Sequence, residues 1–385
     1  MNPIFAGQQT SIFEHMSALA RRHGAVNLGQ GFPDFGWPDD VLDRAAEALR
    51  TGSNQYPPMR GLPALREAIA EHYRRHQGLD YPPDQVVVTS GATEALAAAL
   101  MALVTPGDEV VLFQPLYDAY LPMVRRAGGV ARLVSLKPPE WRLTEEALAQ
   151  AFGSRTRLVL FNNPHNPTSR VFDEEELALL ADFCRRCDAT VISDEVWEHL
   201  VFDGRRHVPL PSLPGMPERT VKIGSAGKIF SVTGWKVGWA VAPPRLAAAF
   251  AAAHQFITFA TPPNLQAAVA YGLGKDDCYY EGMRDGFAGA RDRFAAALAE
   301  AGLAALPAEG TYFICLDLAG SGIAADDVAF CERAVREAGV AAVPVSAFYA
   351  EDPVTNVVRL CFAKQPETLS RGLDGLCRAR ALFEA

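Results

Sequence analysis

From residue 84 onward the chain alternates short β-branched runs with helical patterns, and this alternation restricts the architecture more than any other feature. The apolar runs at 85–89, 109–113, 158–161, 190–193, 221–224 and 238–242 are short and nearly continuous, as strands buried on both faces are. Helical patterns separate them, the first over 93–104. Strands alternating with helices build crossover units, so an α/β core with a mostly parallel sheet is expected. In open sheets of this kind ligands bind beyond the carboxyl ends of the strands. The polar residues that close these runs are therefore the ones to question.

After Tyr271 the rhythm changes. A long helical stretch runs through Asp292 and Arg293, followed by a strand-like 311–316, a helix near 326–337 and a strand at 357–362. This predicts a smaller α+β domain over 276–385, a large domain over 41–275, and an N-terminal segment, 1–40, that joins the small domain. A chain of 385 residues has room for two domains, since single cores rarely grow past roughly 250 to 300 residues.

The net charge of −9 argues against a nucleic-acid partner, because neutralising phosphates needs basic surface. Ala-rich stretches are broken, for example by His254 and Gln255, before reaching the ~20 apolar residues of a membrane span. Residues 1–16 carry Glu14 and lack a basic start followed by an apolar core, so no secretion signal is read and a cytoplasmic location is expected. Seven cysteines, an odd number, imply reduced thiols. Cys184 and Cys187 form a CxxC inside a helical pattern with no second ligand pair nearby, so packed thiols are expected and no metal site is read.

Lys228 lies in the run Ser225-Ala226-Gly227-Lys228-Ile229, just past an apolar segment. A lysine between small residues at a strand end can be held as a Schiff-base nucleophile, and it can equally be a surface lysine in a glycine-rich loop. A phosphate-binding P-loop does not fit: too few residues separate Gly224 from Gly227, and Ile229 stands where Ser or Thr is required.

Four further constellations close strands. Ser90-Gly91-Ala92-Thr93 opens a helix, where unpaired N–H groups suit an anion such as phosphate; the same residues also make an ordinary N-cap. Asn162-Asn163-Pro164-His165-Asn166-Pro167-Thr168 is a loop in which two prolines restrict the backbone, so Asn166 can be presented rigidly, while His165 reads as a loop hydrogen-bonder. Asp194 brings a carboxylate to the ligand edge, where burial demands a cationic or hydrogen-bonded partner such as a protonated ring nitrogen. Arg359 sits inside the apolar run 357–362, either as a fork for a ligand carboxylate or paired with an internal Asp or Glu. A phosphate cradle, a carboxylate for a ring nitrogen, an amine for an aldehyde and an arginine for a carboxylate together describe pyridoxal phosphate and an amino acid.

On these residues the chain resembles the fold-type I, class I aminotransferases, within the branch of methionine, kynurenine and glutamine aminotransferases. The likeness runs from Val26-Asn27-Leu28-Gly29-Gln30-Gly31-Phe32-Pro33 through Asn54-Gln55-Tyr56-Pro57-Pro58 and Gly310-Thr311-Tyr312-Phe313 to Arg359-Leu360-Cys361-Phe362. It implies a large domain with a mostly parallel seven-stranded sheet flanked by helices, plus a smaller α+β domain. By the same resemblance, pyridoxal 5'-phosphate (PLP) would be carried on Lys228, and Asp194 would keep its ring nitrogen protonated. Gly91, Ala92, Ser225 and Lys236 would bind its phosphate, Tyr117 would stack on its ring, and Tyr56 would reach the site of a second subunit in a homodimer. Asn166 and Arg359, with the backbone near Gly31, would take the substrate carboxylate. Phe13 and Phe348 would line the side-chain pocket or pack in the core.

The chain departs from the family pattern at Trp197, where a tyrosine is usual, and indole can donate but not accept. Trp197 is expected either to donate to the cofactor or to turn away as packing. Ser169, where glycine is common, is expected to matter little. The implied activity is amino transfer from an L-amino acid of methionine, aromatic, kynurenine or glutamine type to a 2-oxo acid. The alternatives are a carbon–sulfur β-lyase, a succinyldiaminopimelate aminotransferase and, more distantly, a cofactor-binding regulator without turnover.

Overall fold

The computed structural model describes residues 3–6 and 10–383. Seven strands form the central sheet: β1 (Val86–Ser90), β2 (Glu109–Gln114), β3 (Val130–Ser135), β4 (Thr156–Asn162), β5 (Thr190–Asp194), β6 (Thr220–Ser225) and β7 (Val237–Val241). Their spatial order is β1-β7-β6-β5-β4-β2-β3. All neighbours are parallel except β7, which runs antiparallel to β1 and β6.

Every residue of β2, β6 and β7 is buried, which explains their mainly apolar sequences; the charged Glu109 and Lys222 within them are ion-paired. Edge strand β3 escaped the sequence reading for the opposite reason. It ends the sheet, its exposure alternates, and Arg132 interrupts its apolar residues.

The reversed direction of β7 has a chemical consequence. Val237 stands opposite Ser90 and Gly238 opposite Ser225, so the start of β7 meets the ends of β1 and β6. Lys236 is thereby delivered to the edge where Gly91 and Lys228 emerge; a parallel β7 would have sent it to the other edge.

The helix after β1 spans Gly91–Leu103, beginning two residues earlier than its sequence pattern. Its buried Ala95, Ala98 and Ala99 allow close packing against the helix Pro244–His254. The long helical stretch past Tyr271 resolves into the end of Pro263–Leu273 and the separate helix Asp277–Glu300.

A second sheet contains β8 (Ala304–Ala305), β9 (Phe313–Asp317), β10 (Val343–Pro344) and β11 (Val357–Cys361), antiparallel in the order β10-β11-β9-β8. β9 starts two residues later than the expected 311, because Thr311 adopts the left-handed conformation at φ 62°. The N-terminal pair Val26–Asn27 runs parallel to Val340–Ala341. Leu28 continues the connection, donating to the carbonyl of Ala341 and accepting from the N–H of Cys361. These bonds place Gly29–Gly31 beside Arg359.

Candidate active site

Lys228 occupies a single helical turn, Ala226–Ile229, that follows β6 directly. Ser225 starts the turn by accepting from the N–H of Gly227 at 3.2 Å. The lysine amine faces a cavity of about 220 Å³, donates to the Tyr312 hydroxyl at 3.1 Å and lies 4.4 Å from the centre of the Trp197 ring. Desolvation lowers its pKa to about 8, with the charge of Asp194 opposing the shift.

Asp194 ends β5 on another wall of the same cavity. It is 5% exposed and accepts from the Tyr120 hydroxyl at 2.7 Å and the Val196 N–H at 3.4 Å. Burial raises its pKa, and those two hydrogen bonds only partly offset the effect. No described lysine or arginine forms an ion pair with it.

Gly91, Ala92, Thr93, Ser225 and Lys236 line the cavity's end nearest the helix Gly91–Leu103. The ordinary N-cap reading of Ser90 is not found: its side chain makes no capping bond. The carboxylate of Glu94 instead accepts from the Ser90 N–H at 2.7 Å. Gly91 has φ 74°, and a Cβ there would come within 3.2 Å of the Lys236 ammonium. The left-handed backbone at Gly91 favours glycine, and with the ammonium close by it makes a cradle suited to an anion. Tyr117 lines the cavity and packs edge-on against Tyr120, ring centres 5.5 Å apart.

Asn166 is held by its own loop. Its N–H donates to Asn162 Oδ1 at 2.7 Å, and Asn162 Nδ2 donates to the Asp194 carbonyl at 2.8 Å. Asn166 Oδ1 then accepts from Arg359 Nη1 at 2.7 Å. His165 bonds Thr168 Oγ1 at 2.8 Å and stays within the loop, as expected.

Arg359 is 1% exposed. Its other Nη donates to the Gly29 carbonyl at 3.0 Å, and its Nε has no partner. The rings of Phe313, Phe13 and Phe348 lie 3.9, 5.0 and 5.3 Å from the guanidinium carbon. Among the described residues no Asp or Glu pairs with it, so the internal ion pair is not found. Burial lowers its pKa to about 10. Gly31 fits here because a Cβ would come 2.8 Å from the Phe313 ring.

An anion cradle, a buried carboxylate without a counter-cation and a partly desolvated amine line one cavity, and this donor set fits PLP. The class I and II aminotransferase family model matches residues 23–376. The chain belongs to this family of aminotransferases. These enzymes depend on PLP. A probable N-succinyldiaminopimelate aminotransferase of Mycobacterium tuberculosis is 45% identical over 379 residues, covering 95% of each chain. The methionine aminotransferase of Escherichia coli is 43% identical over 370 residues, also covering 95% of each. The solved N-succinyldiaminopimelate aminotransferase of M. tuberculosis superimposes with a TM-score of 0.95 at 44% identity, covering 98% of this chain and all of the other.

Within this aminotransferase the remaining expected residues fall in different places. Phe13 and Phe348 meet each other at 5.5 Å and both face Arg359. Tyr56 is 84% exposed and rests edge-on against Phe259, away from its own chain's cavity. Trp197 lines the cavity while packing edge-on against Tyr312 at 4.4 Å and Phe313 at 5.5 Å.

Ser169 contributes more than expected. At φ 62° it occupies a conformation that favours glycine, and its hydroxyl meets Thr311 Oγ1 and the Phe313 carbonyl, both at 2.8 Å. It clips the Asn166 loop to the start of β9, a bond glycine could not make.

Three residues of the site carry no role in the sequence analysis: Tyr120, which donates to Asp194; Asn162, which orients Asn166; and Tyr312. The Tyr312 hydroxyl accepts from Lys228 and donates to the Gly31 carbonyl at 2.6 Å. Its place in Gly310-Thr311-Tyr312-Phe313 was the available signal; the partner was not.

Proposed function

We propose that this aminotransferase takes the amino group from an L-amino acid with an apolar, thioether or aromatic side chain and delivers it to a 2-oxo acid. The observation that carries the reading is Arg359: a buried guanidinium with no carboxylate partner among the described residues, joined to Asn166 and enclosed by Phe13, Phe313 and Phe348. The fork would receive the α-carboxylate. The aromatic rings favour an apolar, polarizable side chain over one bearing a second charge.

PLP, when bound, supplies the electron sink and stores the amino group between half-reactions. Lys228 would carry it. Once the substrate amine has displaced Lys228, the lysine would take the proton from the substrate α-carbon as general base. Burial favours the neutral amine that this role needs. Asp194 would accept from the protonated pyridine nitrogen, and Tyr120 keeps its carboxylate oriented. Gly91, Ala92, Ser225 and Lys236 would hold the phosphate, Tyr117 would stack on the ring, and Trp197 would pack beside the lysine. Gly31 would leave room for the substrate carboxylate.

Tyr56 supports a homodimer with shared sites: it is exposed and packs against the exposed Phe259, where a second subunit would be its partner. We read residues 41–275 as the cofactor-binding domain, with 1–40 and 276–385 forming the smaller one. The proposed location is the cytoplasm.

The test is a half-reaction panel. The holoenzyme is mixed with single L-amino acids without acceptor, and the visible cofactor band is followed. Rapid bleaching with methionine or phenylalanine and slow bleaching with aspartate are expected. Preference for N-succinyldiaminopimelate, or release of ammonia and pyruvate from a cysteine thioether, would replace the donor assignment.

A further inference from the structure

Behind the segment that carries Asp194 and Trp197, His76, His199, His207 and Glu198 line a cavity of about 260 Å³ that the proposed chemistry does not use, and His72 and Glu195 touch this group from outside the lining. His72 and His76 lie one turn apart on the helix Pro63–Gln77, with ring centres 4.6 Å apart. His199 approaches from the other side, its Nε2 2.9 Å from that of His72. One oxygen of Glu198 completes a group in which all three donor atoms lie within 4.8 Å of one another.

The polar atoms of this region are poorly satisfied. Four buried side-chain atoms without a hydrogen-bond partner among the described residues belong to residues that line this one cavity: His76 Nε2, Gln77 Oε1, Glu198 Oε1 and His207 Nδ1. Buried polar atoms are normally paired, so such a concentration points to an occupant. Glu198 is decisive. Its Oε2 is taken by Lys222 and Gln77, both at 2.6 Å, while Oε1 is buried and unmatched.

The charges around the site are mixed. Lys222 is one ammonium between two buried carboxylates, Glu195 and Glu198. His207 touches Glu195 at 2.8 Å, and Arg205, Arg206 and Arg284 line the same cavity as Glu198, so the donor atoms rather than the net charge point to the occupant.

We propose that His72, Glu198 and His199 form a binding site for a first-row divalent transition cation of the Zn²⁺ class. Two imidazole nitrogens and a carboxylate oxygen are a donor set such ions favour. The His72–His199 contact contains a single shared N–H. On binding, that proton moves to the other nitrogen of its own ring, both imidazoles stay neutral, and both Nε2 lone pairs turn to the ion. Glu198 and His199 directly follow Trp197, so an ion here would brace the active-site segment from outside.

Zn²⁺ titration of the EDTA-treated holoenzyme by calorimetry, with Mg²⁺ as the hard-cation comparison, tests the site. The expected result is one Zn²⁺ per chain, no comparable Mg²⁺ uptake and a higher Tm with zinc. His72→Gln and His199→Gln should each weaken uptake at least about tenfold, whereas Lys228→Ala should leave it in place. The His199 variant, at a half-buried position, serves if His72→Gln fails to fold. Absence of saturable uptake, uptake that survives both histidine variants, or uptake lost in Lys228→Ala would overturn the proposal.

Discussion

Lys222 and Lys228 are carried by the same strand and its following turn, yet they are treated in opposite ways. Burial alone would lower the pKa of Lys222, but Glu195 and Glu198 overcome it and hold the ammonium above its usual value. Lys228 has no such pair, and its pKa falls to about 8. The arginines repeat the contrast. Arg170 is bound by Glu309 and Glu176, while the acceptors that Arg359 finds among the described residues are an amide and a carbonyl oxygen. Protein carboxylates neutralise the cations that hold the fold together, and the cations at the ligand edge are left for small molecules to satisfy.

The sharpest way to break this division is to exchange its consequences. Lys228→Ala should slow the half-reaction with methionine by about 10⁴-fold or more, since a general base and a covalent anchor go together. Urea unfolding of that variant should show little loss of stability. Lys222→Met should do the reverse: stranding two buried carboxylates should cost about 3–5 kcal/mol in urea unfolding, with turnover per folded molecule retained. Loss of stability in the first variant and of chemistry in the second would erase the distinction.

Arg359→Ala sharpens it at the substrate end. kcat/KM should fall by the equivalent of roughly 2–5 kcal/mol, chiefly through weaker carboxylate binding, as steady-state kinetics across amino acids would reveal.

Much of this division was legible in the sequence, because chemistry-bearing residues end apolar runs. Asp194 and Lys228 could be placed at strand ends from the runs before them, and Arg359 announced itself as a charge inside a strand. What stayed hidden were partners far apart in the chain. Tyr120 reaches Asp194, and Tyr312 reaches Lys228, across 74 and 84 residues, distances over which no periodicity operates. The edge strand β3 was missed because solvent permits Arg132 there, and Ser90 misled because a cap and an anion cradle use the same residue types. Ser169 was undervalued because its hydroxyl works only once β9 is beside it.

The smallest effect concerns pH. With its folded pKa near 8 and its ordinary value at 10.5, Lys228 binds fewer protons in the folded apoprotein than in the unfolded chain between those values. Its contribution to stability should therefore rise as pH increases from about 8 to 10.5. Amine-modification rates at Lys228 should show a midpoint near 8 in the apoprotein. Tyr312→Phe, by removing an acceptor for the ammonium, should move that midpoint down by less than about one unit.

The most direct test of the central claim is borohydride reduction of the holoenzyme followed by peptide mapping. A single cofactor-bearing lysine at Lys228 is predicted. The label on Lys222, Lys236 or any other lysine would contradict the account.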